Sequence, residues 1–210
     1  MVLLFIGPSG SGKDTQAQLL NDSHGYEIIS SGQLLRDISE GDSLIQMSIR
    51  NAMNNAKWDE LNQLLYDLLQ VCFEHSTLKD FILTGFVRTV DQVQRLDKAL
   101  SQINTKIDKV IYFDLNDENA LKRMEGRMVD KRNGKIYHAV FNPPPADAIP
   151  YLQKRPDDAD TESYLKRLRQ FHRDNEIILG EYEKRGILIR VDGSKSIEEV
   201  HAELIKDVHN

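Results

Sequence analysis

Val2-Leu3-Leu4-Phe5-Ile6, followed at once by Gly7-Pro8-Ser9-Gly10-Ser11-Gly12-Lys13, is the stretch that decides the architecture. Five consecutive apolar residues bounded by glycine read as a strand buried on both faces. The next seven residues have the G-x4-G-K spacing of a phosphate-binding loop set between a strand and a helix. Glycines let the chain turn so sharply that successive N–H groups point into an anion-sized nest. The helix that follows adds the positive end of its dipole. Lys13 then reaches the terminal phosphates as a point charge. One residue departs from the strict pattern: serine or threonine is expected after the lysine, and Asp14 stands there, with Thr15 next. A carboxylate facing polyphosphate repels it unless Mg²⁺ lies between them.

Working outward, three further apolar runs read as buried strands: Phe81–Leu83, Val110–Phe113 and Ile187–Val191, with Glu27–Ser30 a weaker fifth. Amphipathic stretches expected to be helical separate them: Lys13–Asn21, Leu44–Ala56, Asp59–Phe73, Asp91–Leu100 and Asn119–Arg127, then Thr161–Lys184 and Ser196–Val208. The last opens on Ser196-Ile197-Glu198-Glu199, the S-x-x-E pattern of a capping box. Strands alternating with helices predict an α/β fold, a parallel sheet with helices on both faces. Ligands in such sheets sit beyond the carboxyl ends of the strands. One segment, Lys131–Arg155, is rich in Gly, Pro and Asn and too long for an ordinary connection. Its aromatic residues Tyr137, Phe141 and Tyr151 predict a small packed unit, as in a lid.

A chain of 210 residues, 40% hydrophobic and 29% charged, can bury a core and is expected to form one domain with inserted pieces. Its net charge of −6 gives no global attraction for nucleic acid or anionic membrane. The charge is uneven: Lys122 to Arg173 holds 12 basic against 7 acidic residues, with arginine dominant. Arginine favours bidentate contact with phosphate. The single cysteine, Cys72, rules out an intramolecular disulfide and any multi-cysteine metal site, and its apolar surroundings predict a core thiol. No apolar run is long enough for a signal peptide or membrane span, so a cytoplasmic protein is expected.

Several ordered motifs together are more specific than the loop alone. Gly7–Ala17 (GPSGSGKDTQA) resembles the loop of adenylate kinases and related nucleoside monophosphate kinases. So do Ile29–Arg36 (ISSGQLLR), Gly85–Thr89 (GFVRT) with Gln92, and Arg123–Arg127 (RMEGR). Gly134–His138 (GKIYH) with Phe141–Pro144 (FNPP) is similar to the long-form lid of that family. Arg155–Asp158 (RPDD), Lys166–Leu168 and Val191–Gly193 complete a series that spans nearly the whole chain.

The resemblance implies a P-loop core at 1–30, 74–125 and 161–210, a monophosphate-binding helical insert at 31–73 and a lid at 126–160. It implies transfer of the terminal phosphoryl of Mg-ATP to AMP, giving two ADP, with Mg²⁺ as cofactor and a monomeric enzyme. Gly7, Gly10, Ser11, Gly12, Lys13, Asp14, Thr15, Arg123, Arg127 and Tyr137 fall at donor-site positions. Ser31, Gly32, Arg36, Gly85, Arg88, Gln92, Arg155 and Arg167 fall at acceptor-site positions, where Ser31 and Gln92 would read the base. Lys13, Arg88, Arg127, Arg155 and Arg167 would surround the transferring phosphoryl, with Asp157 and Asp158 tying the closed lid. Arg123 and Arg127, four residues apart, would share one helical face. Without the four lid cysteines, structural zinc is excluded.

Departures from the family cluster at the phosphates. Asp14 stands for glycine, Thr84 for the strand-end aspartate that serves the Mg²⁺ shell, Val87 for proline, Gln33 for a common aspartate and Ser31 for threonine. The lid is shorter than the usual long form between Phe141 and Arg155. Mg²⁺ would lie near Asp14, Thr15 and Thr84, with Asp14 supplying the carboxylate that Thr84 lacks. A kinase for CMP or UMP, and an impaired nucleotide-binding or sensing protein, are the alternative readings.

Overall fold

A computed structural model describes residues 1–55, 57–75, 80–154 and 161–209. Five strands form a parallel sheet: β1 (Val2–Ile6), β2 (Glu27–Ser30), β3 (Phe81–Thr84), β4 (Lys109–Asp114) and β8 (Leu188–Asp192). Their spatial order is β2-β3-β1-β4-β8, so β1 lies at the centre with its loop at the carboxyl edge. The register aligns Phe5 with Thr84 and Ile6 with Tyr112, which brings three strand ends to the same level.

Strand alternation divides the core. Val2, Leu4 and Ile6 face one hydrophobic cluster with Leu83 and Val110. Leu3 and Phe5 face another with Ile82 and Phe113. Both faces are therefore dry, as uninterrupted apolar strands require. Helices cover them: α1 (Lys13–His24), α2 (Ser31–Ser39), α3 (Leu44–Asn54), α4 (Asn62–His75) and α5 (Val90–Gln102). The remaining three are α6 (Asp117–Glu125), α7 (Thr161–Lys184) and α8 (Ile197–His209). Cys72, half-buried on α4, packs against the first cluster, and burial raises its thiol pKa. Among the described residues no helix is long and apolar enough to cross a membrane.

The segment rich in Gly, Pro and Asn builds a second, antiparallel sheet from β5 (Arg127–Asp130), β6 (Ile136–His138) and β7 (Leu152–Gln153), in the order β6-β5-β7. Its centre is an ion pair. Asp130, fully buried, accepts from the Arg132 backbone N–H at 2.9 Å and from Arg132 Nη2 at 2.6 Å. The same guanidinium stacks over Tyr151, 4.1 Å from the ring centroid, and reaches Asp147 at 3.4 Å. The hydrogen bonds from Arg132 hold the Asp130 carboxyl below its usual range.

Three elements differ from the sequence expectation. The helix expected over Asn119–Arg127 ends at Glu125, with Gly126 as its C-cap and the Gly126 N–H bonded to the Met124 carbonyl; a Cβ on Gly126 would fall 2.1 Å from His138 Nε2. Arg127 therefore opens a strand and does not share a helical face with Arg123. The expected helix Asp59–Phe73 begins with a 3-10 turn, Trp58–Leu61, before α4 takes over. Helix α2, absent from the apolar pattern, starts where the Ser30 hydroxyl accepts from the Gln33 N–H.

Candidate active site

Gly10 and Gly12 adopt φ of +89° and +92°, and Ser11 N–H closes the loop onto the Pro8 carbonyl at 3.1 Å. A Cβ on Gly10 would meet the Ala120 carbonyl oxygen at 2.9 Å, and one on Gly7 would meet the Phe113 carbonyl at 2.9 Å. The loop is thus pressed against β4 at Gly7 and against α6 at Gly10, with no room for a side chain at either. Lys13 Nζ donates to the Pro8 carbonyl at 3.3 Å, which folds the amine over the nest. The Ser11 side chain is buried, and its hydroxyl has no hydrogen-bond partner among the described residues.

Two clefts flank this loop. The first is lined by Gly10–Gln16, Arg123, Arg127, Tyr137, His138, Phe141, Gly193 and Lys195 among others. Arg123 is fixed from two sides: Nη1 donates to the Gly193 carbonyl at 2.8 Å, and the guanidinium lies 5.3 Å from the Phe141 ring centroid. Burial lowers its pKa, with Asp192 opposing that shift. Arg127 is nearly buried and donates to Ser9 Oγ at 3.4 Å. His138 accepts from the Val140 and Phe141 N–H groups through Nδ1, at 3.1 and 3.3 Å, a structural use of the ring.

The second cleft contains Gly7, Ser9, Lys13, Asp14, Gly32, Arg36, Thr84, Gly85, Val87, Arg88 and Arg167. Arg88 Nη2 donates to Ser31 Oγ at 3.3 Å, and that hydroxyl donates to the Gly85 carbonyl at 2.6 Å. Gly85, at φ +75°, has to be glycine: a Cβ would lie 2.6 Å from Ser31 Oγ and 3.0 Å from Arg88 Nη2. Arg36 is held by Gln33 Oε1 at 3.0 Å. Arg167 lies over the Tyr164 ring at 5.8 Å, while the Tyr164 hydroxyl donates to the Ser9 carbonyl at 3.0 Å.

Of the residues expected from the sequence, Gly10, Ser11, Gly12, Lys13, Asp14, Thr15, Arg123, Arg127 and Tyr137 line the first cleft. Gly7, Gly32, Arg36, Gly85, Arg88 and Arg167 line the second, and Lys13 and Asp14 line both. Ser31 and Gln92 lie behind the second cleft, each almost fully buried. Gln92 Oε1 accepts from the Arg88 and Thr89 N–H groups at 2.6 and 3.2 Å, and its Nε2 donates to Asn62 Oδ1 at 2.5 Å. Arg155, Asp157 and Asp158 lie outside the described residues. Tyr164, Ser9 and Asn62 went unread in the sequence. Tyr164 looks there like one more apolar position of a long helix, and only the packing of α7 onto the loop reveals its hydroxyl contact.

The oxygen chemistry of the site suits Mg²⁺. Asp14, Thr15 and Thr84 supply a carboxylate and two hydroxyls, hard donors of the kind this ion takes. No group of three or more His, Cys, Asp or Glu that could hold a metal ion occurs among the described residues.

Comparison with known proteins agrees with this geometry. A family model described as adenylate kinase matches residues 5–187. An adenylate kinase of Methanocella arvoryzae is 32% identical over 209 residues, covering 97% of this chain and 96% of its own. One from Fusobacterium nucleatum is 32% identical over 207 residues, with 97% and 96% covered. Adenylate kinase 4 of Arabidopsis thaliana is 30% identical over 210 residues, with 97% and 85% covered. With a phosphate-type loop between two clefts and a match over almost its whole length, the chain belongs to the adenylate kinase family.

Proposed function

We propose that this chain transfers the terminal phosphoryl group of Mg-ATP to AMP, giving two ADP. The observation that carries the reading is that two clefts meet at one point, with Lys13 and Asp14 lining both. A phosphoryl group held at that junction has a donor on one side and an acceptor on the other. Phosphoryl transfer asks a protein mainly for in-line positioning and charge neutralisation, and this site is built of those two things.

In this reading the loop amides and the α1 N-terminus hold the donor phosphates, and Lys13 follows the terminal one across. Arg123, braced by Gly193 and Phe141, lies flat against the donor base. Arg36 and Arg88 grip the acceptor phosphate. Arg127 and Arg167, with Arg155 beyond the described residues, surround the group in flight. Mg²⁺, held through Asp14, Thr15 and Thr84 oxygens, would neutralise charge on the donor phosphates. The unit at 126–160 acts as a lid that excludes water and suppresses hydrolysis of ATP, and the insert at 31–73 carries the acceptor. We read the chain as a monomeric, cytoplasmic enzyme working on ATP, AMP and ADP, with both clefts lined by residues of one chain.

A specific observation keeps a second acceptor in view. The polar atoms of Ser31 and Gln92 are occupied by Arg88, Gly85, Thr89 and Asn62, so reading a base requires these contacts to rearrange. The test is ATP-dependent phosphorylation of AMP, CMP, UMP and GMP, with and without Mg²⁺. Rapid Mg²⁺-dependent turnover preferring AMP is expected. Preference for CMP or UMP would move the acceptor assignment, and no turnover despite tight ATP binding would make the protein a nucleotide sensor.

A further inference from the structure

We infer that Asp14 makes donor binding depend on a divalent cation, so that the site selects Mg-ATP and rejects the free nucleotide. The inference rests on the donor-site reading above and concerns how that site distinguishes two forms of one ligand.

Among the described residues lining the two clefts, Asp14 is the single carboxylate, set among Lys13, Arg36, Arg88, Arg123, Arg127, Arg167 and Lys195. Every other charged lining residue is suited to an anion. Asp14 is placed in the first turn of α1, beside the nest. A polyphosphate seated in the nest therefore meets one negative charge at close range. An interposed cation turns that repulsion into attraction, because a metal bound through its waters is attracted by both partners. The buried Ser11 hydroxyl in the adjacent turn, without a partner among the described residues, is a second oxygen reserved for something the loop takes in.

Thr84 completes the argument. It lies at the end of β3, in register with Phe5, buried and lining the same cleft as Asp14. Its neutral hydroxyl can orient a metal-bound water but cannot replace a charge. The cation's only fixed negative partner from the described lining is thus on the loop and moves with the donor phosphates.

The experiment is calorimetric titration of ATP into the intact protein, in excess Mg²⁺ and in EDTA, with Mn²⁺ electron paramagnetic resonance to count bound metal. The wild type should bind Mg-ATP on the order of tenfold or more tighter than free ATP. Asp14→Asn should close most of that gap, chiefly by tightening free ATP, and should weaken Mn²⁺ binding in the ternary complex. Adding Thr84→Asp to Asp14→Asn should reopen the gap from the β3 side. Far-ultraviolet circular dichroism and a thermal melt of Asp14→Asn serve as the folding control. A wild type with equal affinities, or an Asp14→Asn that keeps the full gap, overturns the inference. Absence of phosphoryl transfer alongside an intact gap would overturn the kinase reading instead.

Discussion

Arg88 and Ser31 illustrate how a single side chain is made to serve here. The Ser31 hydroxyl donates to the Gly85 carbonyl and accepts from Arg88, so the guanidinium is held before any ligand arrives. Preorganisation of this kind lowers the entropy that binding must overcome. Arg88→Lys keeps the charge and discards the planar fork. It should raise KM for the acceptor about 10- to 100-fold, the worth of one charge-assisted hydrogen bond, while KM for ATP changes little. Steady-state kinetics with each substrate varied in turn checks this. An equal rise in both constants would mean that the substitution disturbed the loop. The sequence placed Arg88 at an acceptor position, but it could not show that Ser31 braces the arginine, since a hydroxyl 57 residues away has no local signature.

Strands β5, β6 and β7 form the element with the least sequence signal and the most electrostatic character. Too few apolar residues are available to close this small sheet by burial. Asp130, fully buried, is compensated by the Arg132 fork, which also covers Tyr151. Removing one partner of such a pair leaves a buried charge uncompensated. Arg132→Gln should therefore speed hydrogen exchange at β5 and β6 amides while β1 and β4 remain protected. The pH dependence has a definite sign. Asp130 titrates below its ordinary carboxylate value, so its contribution is complete above that value and is lost as pH falls through the lowered one. Wild-type exchange in this sheet should consequently stay slow through mildly acidic pH and accelerate only below the normal carboxylate range. In Arg132→Gln the buried carboxylate has lost the partner that lowered its pKa, so protonation relieves it, and the excess exchange over wild type should be largest at neutral pH and shrink as pH falls. Sequence reading found the packed unit from its aromatics but missed the ion pair, because Arg132 looks like any other basic loop residue. The end of α6 was missed for a related reason: Gly126, where the helix stops, lies against His138, a residue of the neighbouring strand.

At the scale of the molecule, the main feature is that a chain of net charge −6 sets Lys13, Arg36, Arg88, Arg123, Arg127 and Arg167 along two adjoining clefts. The two clefts share Lys13 and Asp14, so in the proposed reading their ligands would lie end to end. Two adenosines joined by a polyphosphate chain long enough to span both clefts should bind on the order of 100-fold tighter than ATP alone, since the second half binds intramolecularly. Calorimetry against ATP, AMP and the joined compound tests this. An affinity no better than that of ATP would mean that the clefts do not bind their ligands together. The concentration of positive charge is also why local excess, and not net charge, pointed toward phosphate in the sequence.

Strand positions, the loop, its lysine and the two-faced core were legible because each depends on residues adjacent in sequence: apolar runs bounded by glycine, and glycines at fixed spacing. The helix start at Ser196 was legible for the same reason: Ser196 Oγ accepts from the Glu199 N–H at 3.2 Å, and the Glu199 carboxylate accepts from the Ser196 N–H at 3.0 Å. What only the tertiary structure decided is which side chains face the clefts and which are used up behind them. Gln92 reads as a base-recognising residue from sequence, and in the fold its carbonyl oxygen caps α5 while its amide holds Asn62. A hydrogen bond is spent or available according to what lies within 3 Å, and that depends on how β3, α4 and α5 pack together.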